Sequence, residues 1–179
     1  MNRGYFQKFQ IKDVVFLAIM SAVALATCAV MPLVISLQLL IFGISQLVTA
    51  LQIGVFFAIG LYKVRKPGSL LLMALMMGLI QLMMSPPMFL SSVLNGVLIE
   101  LIVLLLFGGY EKDSAVFCAA MLHTPLSLPF NYLYNRLIKG ADSPLAAVAD
   151  RAPLAAVGMT LAVVAVSALG ALIGIKIAR

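Results

Sequence analysis

The chain has 179 residues, 64% of them hydrophobic and 10% charged, with no Trp and a formal net charge of +6. Soluble domains carry about 45–50% apolar and about 25% charged residues, so this composition excludes an ordinary cytosolic globule and a disordered or nucleic-acid-binding tail. The charge has to be read through its positions, because basic residues in a membrane chain mark cytoplasmic loops. The sequence is that of an integral membrane protein with room for several spans of ~20 residues.

Six apolar segments follow in chain order. The first, 13–31, is preceded by Arg3, Lys8 and Lys12 and stopped by Pro32. Ala24-Leu25-Ala26 looks like a signal-peptidase site, but the apolar run continues past it, so a retained helix is expected. The second, 39–62, ends in Lys63-Val-Arg-Lys66-Pro-Gly68. The third, 69–84, stops at Ser85-Pro-Pro87. The fourth, 88–107, is closed by Gly108-Gly109 and by Glu111-Lys-Asp113. The fifth, 115–133, is softened by Pro125 and Pro129, and a polar stretch from Asn135 to Arg151 separates it from the sixth, 153–177. Long unbroken apolar runs favour helices over barrel strands, which would alternate. The expected fold is all-α: one bundle of six transmembrane helices over 1–179, without an internal repeat or a soluble domain.

Sidedness follows from the basic residues. A cytoplasmic N-terminus puts Arg3, Lys8, Lys12, Lys63, Arg65, Lys66, Lys112, Lys176 and Arg179 inside and only Arg136, Lys139 and Arg151 outside. This positive-inside bias predicts that both termini are cytoplasmic.

Catalytic signatures are missing. There is no GxxxxGK[ST], HExxH or GxSxG, and the chain has a single His. No enzymatic activity, metal site or cofactor is expected in this chain, and any ATP must be used by another subunit. Cys28 and Cys118 lie in apolar runs, as packing residues do, and the methionines of the third helix (Met73, Met76, Met77, Met83, Met84) suit adaptable packing.

The first helix carries Ala18-x-x-x-Ala22-x-x-x-Ala26 with Ser21 beside it. Residues four apart share a face, and alanines there admit another helix, either within the bundle or from a partner. This face, on the first of six helices in a chain of this size, resembles the S-components of energy-coupling-factor (ECF) vitamin transporters. Arg65-Lys-Pro-Gly68 heading the third helix and Asn95-Gly96-x-x-x-Glu100 in the fourth are similar to the YkoE-like branch, associated with thiamine or its hydroxymethylpyrimidine precursor. The resemblance implies a substrate-capture subunit in a prokaryotic plasma membrane. It implies docking of Ala18, Ala22 and Ala26 on an EcfT-like transmembrane coupling subunit, two ATPase subunits and a vitamin-like ligand, with no nucleic acid involved.

Polar residues within the spans complete the picture. At the helical rise Glu100 lies roughly 10 Å from Phe107 and His123 roughly 12 Å from Ala115. The two are expected to share a hydrogen bond, directly or through water; Glu100 could act as a ligand counter-charge or gate, or a Glu–His or Glu–backbone hydrogen bond could pin the helices. Nearer the outer face lie Gln46, Gln81, Ser91, Ser92, Asn95, Asn131, Tyr132, Tyr134 and Asn135. Amides and tyrosines at one surface suit a small heteroaromatic ligand, but they also serve interhelical bonding and interfacial belts. The candidate substrate-binding set is Gln46, Gln81, Asn95, Glu100, His123, Asn131, Tyr132 and Asn135, with an outer pocket bounded by the Pro32–Gln38 loop and the outer ends of helices four to six. The scarcity of outward-facing acids favours a neutral or weakly charged ligand. An autonomous secondary transporter or channel acting as an oligomer would call for charged rings or discontinuous helices, and an intramembrane enzyme would have only Glu100 and His123 to work with.

Overall fold

The computed structural model describes residues 8–28, 37, 41–83, 85–140 and 143–179. Among these lie seven α-helices and no strand: α1 (Ile11–Thr27), α2 (Ile44–Val64), α3 (Ser69–Leu82), α4 (Pro86–Phe107), α5 (Asp113–Leu137), α6 (Pro144–Arg151) and α7 (Pro153–Ala178). By length and composition α2, α4 and α7 are long and apolar enough to cross a membrane. The predicted end of the first span at Met31 and Pro32, the start of the second at Leu39, Met84, and the 32–38 loop apart from Leu37 lie outside the described residues.

Two departures from the expected elements have local causes. The polar stretch 135–151, to which no element was assigned, contains α6, which opens with Pro144 in its first turn, where a missing N–H costs nothing. Tyr132 and Arg136 of α5 both donate to the Asp150 carboxylate of α6, the tyrosine at 2.8 Å. The fifth helix also runs on to Leu137, straight through Pro125 and Pro129. Proline deprives the carbonyl four residues back of its helical donor. For Pro125 that carbonyl is Met121, and the buried Ser167 hydroxyl of α7 donates to it at 2.8 Å.

Small residues set the helix crossings. In lipid there is no hydrophobic drive between helices, so close backbone approach and interhelical hydrogen bonds do the holding. The α2–α7 crossing is built from Gly54 and Ala58 against Ser167, Gly170, Ala171 and Gly174. A Cβ at Gly170 would lie 2.5 Å from the Leu51 carbonyl oxygen, and one at Gly174 would strike that of Val55. Between α3 and α4, a Cβ at Gly96 would lie 2.6 Å from that of Ala74, and Ser92 donates to the Ala74 carbonyl at 2.9 Å. Ser21 ties α1 to α3 through the Met73 carbonyl at 3.2 Å.

The main core lies between α1, α2, α3, α4, α5 and the last turns of α7, where Leu17, Phe57, Leu61, Leu70, Met73 and Val103 are fully buried. A smaller cluster of Ala50, Leu128 and Val163 fills the space between α2, α5 and α7. Outward, Leu105, Leu106, Leu154 and Ile177 are exposed, a distribution that matches a lipid-facing surface rather than a wet one.

Ionic contacts gather six helix ends. Lys66 pairs with Asp13 at 2.6 Å, and Asp113 pairs with Arg65 at 2.6 Å and with Arg179 at 2.7 Å. The starts of α1, α3 and α5 and the ends of α2, α4 and α7 therefore share one end of the molecule, here called the basic end. Arg65 is held there in a left-handed conformation (φ 46°) while its guanidinium stacks over Tyr62 at 4.1 Å and donates to the Glu111 carbonyl at 2.5 Å. Its neighbours hold the Asp113 carboxyl below its ordinary value, the Arg179 bond first and the Arg65 bond next.

Candidate functional site

The predicted polar residues divide into three levels along the helices. Glu100 belongs to the basic end. Its Oε1 accepts the Gly68 N–H at 2.6 Å, and its Oε2 accepts the Leu71 N–H at 3.3 Å and the Tyr110 hydroxyl at 2.9 Å. Gly68 is the N-cap of α3 in a left-handed conformation (φ 89°) that glycine adopts without strain, which aims its N–H at the carboxylate. A carboxylate over a helix N-terminus satisfies otherwise orphaned donors and faces the positive end of the helix dipole. Burial, then the adjacent Glu100 charge, pushes the fully buried Tyr110 phenol well above its ordinary value, so it remains a donor.

A direct Glu100–His123 hydrogen bond is not formed. Glu100 is taken up by α3 and Tyr110, and neither His123 nitrogen has a hydrogen-bond partner among the described residues. The imidazole instead packs on Phe57 of α2, with ring centroids 4.4 Å apart. Similar depth on successive helices did not bring the two together, because the glutamate is drawn toward the free N–H groups at the head of α3.

The middle level holds Asn95 and His123, both buried, and the half-buried Gln81. Asn95 Oδ1 has no partner among the described residues. The level far from the basic end holds Gln46, Asn131, Tyr132 and Asn135. Asn135 is buried and internally satisfied: its amide nitrogen donates to the Asn131 carbonyl at 2.7 Å and its Oδ1 accepts from Ser143 at 3.1 Å. Gln46 accepts the Ser45 hydroxyl at 2.8 Å. Tyr132 lines an open cleft of about 470 Å³ between α5, α6 and α7, together with Phe42, Leu128, Asp150, Pro153 and Thr160. Of the predicted set, Asn131 and Asn135 are joined directly by a hydrogen bond.

The α1 face is resolved clearly. Leu17, Ser21 and Ala24 turn into the bundle, whereas Ala18 is half-buried and Ala22 and Ala26 are exposed. Val15, Ile19 and Val23 flank the alanines, 36–50% exposed. The small-residue face is thus not consumed by internal packing.

Sequence reasoning missed three features. Gly170-x-x-x-Gly174 is a legible small-residue repeat in α7, and Ser143-Pro144 is a legible helix start. The Ser167 bond to Met121 gave no signal, because it depends on which face of α7 meets Pro125.

A family model described as a hypothetical bacterial integral membrane protein (Trep_Strep) matches residues 11–179. No curated protein and no solved structure matches the chain. The match spans every helix, and the apolar helices with their lipid-type surface agree with it. The chain therefore belongs to the Trep_Strep family of bacterial integral membrane proteins and resides, multi-pass, in the cell membrane.

Proposed function

We propose that the chain is the substrate-capture subunit of an ECF-type importer. It crosses the membrane six times, on α1 to α5 and α7, with the basic end and both termini in the cytoplasm. It takes up a small vitamin-like molecule from the outer side, where Tyr132 lines the cleft, and catalyses no reaction itself. Two ATPase subunits and a transmembrane coupling subunit supply the energy.

The observation that carries this reading is the outward-facing Ala18–Ala22–Ala26 face. Alanines at this spacing leave a shallow groove between Val15, Ile19 and Val23, and a second helix can enter it to backbone distance. Internal packing would have buried these residues, as it buries Gly54 and Gly174. The grouping of Lys8, Lys12, Lys63, Lys66, Lys112 and Arg179 with the ends of α2, α4 and α7 supports a cytoplasmic basic end.

The test is affinity purification of the tagged chain from its native membrane. A coupling subunit and ATPases should co-purify, and Ala22→Leu should release them while leaving the melting temperature of the isolated chain unchanged. A chain purified without ATPases, or an Ala22→Leu variant that retains them, refutes the assignment.

A further inference from the structure

We propose that the cleft between α5, α6 and α7 takes the hydrocarbon body of a single-chain carboxylate, whose head pairs with Arg136 and Arg151 at the mouth. The inference deepens the substrate-capture reading and rests on it in two respects: this end of the bundle is outside, and the occupant is cargo rather than bilayer lipid.

Helical periodicity builds the cleft. Pro153, Ala156, Val157 and Thr160 line it from α7 at i, i+3, i+4 and i+7, one face of a helix, and Leu128 and Tyr132 line it from α5 at i and i+4. At its lower end Leu128 packs with Ala50 and the fully buried Val163, and at its mouth α6 contributes Ala149 and Asp150. From Pro153 to Thr160 the α7 wall runs roughly 10 Å at the helical rise.

The side chains of this wall have no hydrogen-bond donor left for a ligand. The Tyr132 hydroxyl donates to Asp150, and the Thr160 hydroxyl donates to the Ala156 carbonyl at 2.8 Å. The rest of the lining is hydrocarbon, from Phe42 and Pro129 to Val157. Such a wall gains by covering apolar surface and loses by burying the polar edge of a ring without partners.

The charge at the mouth selects the head. Arg136, Lys139 and Arg151, the three basic residues expected outside, all fall in the stretch that ends α5 and forms α6, against the positive-inside trend. Asp150, the acid on the cleft wall, pairs with Arg136 and so holds that guanidinium beside the mouth. The pair engages one terminal nitrogen of Arg136, whereas a guanidinium carries five N–H donors in a fork that matches a carboxylate. Arg151 follows Asp150 directly and is exposed at the end of α6. Two arginines against one aspartate leave the mouth net positive, which favours an anionic head over a neutral or cationic one. A phospholipid fits less well. Each of its two chains fills about half of a hydrocarbon core of about 30 Å, longer than this wall, and the cleft holds only about 470 Å³.

The experiment titrates the full chain in phosphatidylcholine nanodiscs with octanoate, octanol, octylamine and acetate, by calorimetry against empty nanodiscs. We expect octanoate to bind saturably, one per chain, at least about tenfold more tightly than octanol or octylamine, the scale of one charge-assisted hydrogen bond. Acetate, which has the head without the chain, should not bind measurably. Ala156→Phe should fill the cleft and abolish octanoate binding, and Arg136→Gln should weaken it about tenfold. The inference is overturned if octanoate shows no saturable binding, if octanol, octylamine or acetate matches it, or if Ala156→Phe binds it like the wild type. It is also overturned if phosphatidylglycerol in the nanodisc competes octanoate out, which would assign the cleft to bilayer lipid. Where Arg136→Gln loosens α6 or fails to fold, the comparison of head groups on the wild-type chain decides. A chain that retains its ATPases but ignores octanoate refutes the cleft ligand alone, and one that binds octanoate without ATPases refutes the importer assignment, so the two failures are distinguishable.

Discussion

Pro125 and Ser167 offer a double-mutant cycle in which sequence chemistry predicts the coupling. Pro125 has no N–H, so the Met121 carbonyl loses its helical donor, and the fully buried Ser167 of α7 donates to it instead at 2.8 Å. Ser167→Ala leaves that carbonyl without its donor. A net intramolecular hydrogen bond is worth about 0.5–1.5 kcal/mol, and a stranded acceptor costs about 1–3 kcal/mol. Interhelical bonds measured within membranes average about 0.6 kcal/mol and reach about 1.7 kcal/mol. The expected cost of Ser167→Ala is therefore about 1–1.5 kcal/mol. In a Pro125→Ala background the new backbone N–H can reclaim the Met121 carbonyl, and the cost of Ser167→Ala should fall by about 1 kcal/mol. Reversible unfolding in mixed detergent–SDS micelles of the four proteins measures the cycle. Equal costs of Ser167→Ala in both backgrounds, within about 0.3 kcal/mol, would refute the compensation.

Three further perturbations test other parts of the fold. Gly174→Leu drives a side chain into the α2 backbone at Val55 and should cost about 3 kcal/mol or more, whereas Gly158→Ala meets nothing within 4 Å and should be neutral or gain up to about 1 kcal/mol, as read by thermal melting. Tyr110→Phe removes a hydroxyl donor to the Glu100 carboxylate and should cost about 1.5–3 kcal/mol, with Glu100→Gln worse, because its amide NH₂ confronts an N–H donor, and Glu100→Leu worst. The Asp113 carboxyl is depressed below its ordinary 3.8, so the stability it confers is present above that value and is lost as pH falls further through its folded value. Asp113→Asn should therefore flatten the acid limb of a melting-temperature profile below about pH 4 and leave the neutral limb parallel to wild type, and an unchanged acid limb would contradict the pairing.

Hydropathy made most of the helices legible, because in lipid every backbone polar group must be satisfied within the segment, and an apolar run long enough to span has few alternatives to a helix. Boundaries were legible where Pro or Gly acts directly on the backbone: Pro86 in the first turn of α4, and Gly108 at its end with φ 73°. Rotation about each helix axis was not legible. Helical rise alone predicts similar depths for Glu100 and His123, yet their partners depend on which way each helix turns, and Glu100 is drawn to backbone N–H groups at the head of α3. The polar residues around Leu133 presented the same difficulty: Asn135 is satisfied by the Asn131 carbonyl and the Ser143 hydroxyl, a local arrangement that composition alone does not distinguish from an open binding surface.

The two motifs that resemble the YkoE-like branch turn out to be halves of one structural unit. Pro67-Gly68 opens α3, Gly96 lets α3 approach α4 at Ala74, and one turn further on Glu100 closes over the exposed N–H groups that Gly68 and Leu71 present. Such a unit fixes the α3–α4 hairpin whatever the protein carries, so its presence speaks to architecture and leaves the ligand open. Glu100 is thereby committed to the hairpin, its oxygens accepting from Gly68, Leu71 and Tyr110. The same separation explains why the α1 face can be tested apart from ligand binding: Ala22 and Ala26 point outward, while Leu17, Ser21 and Ala24 on the opposite side hold α1 to the bundle.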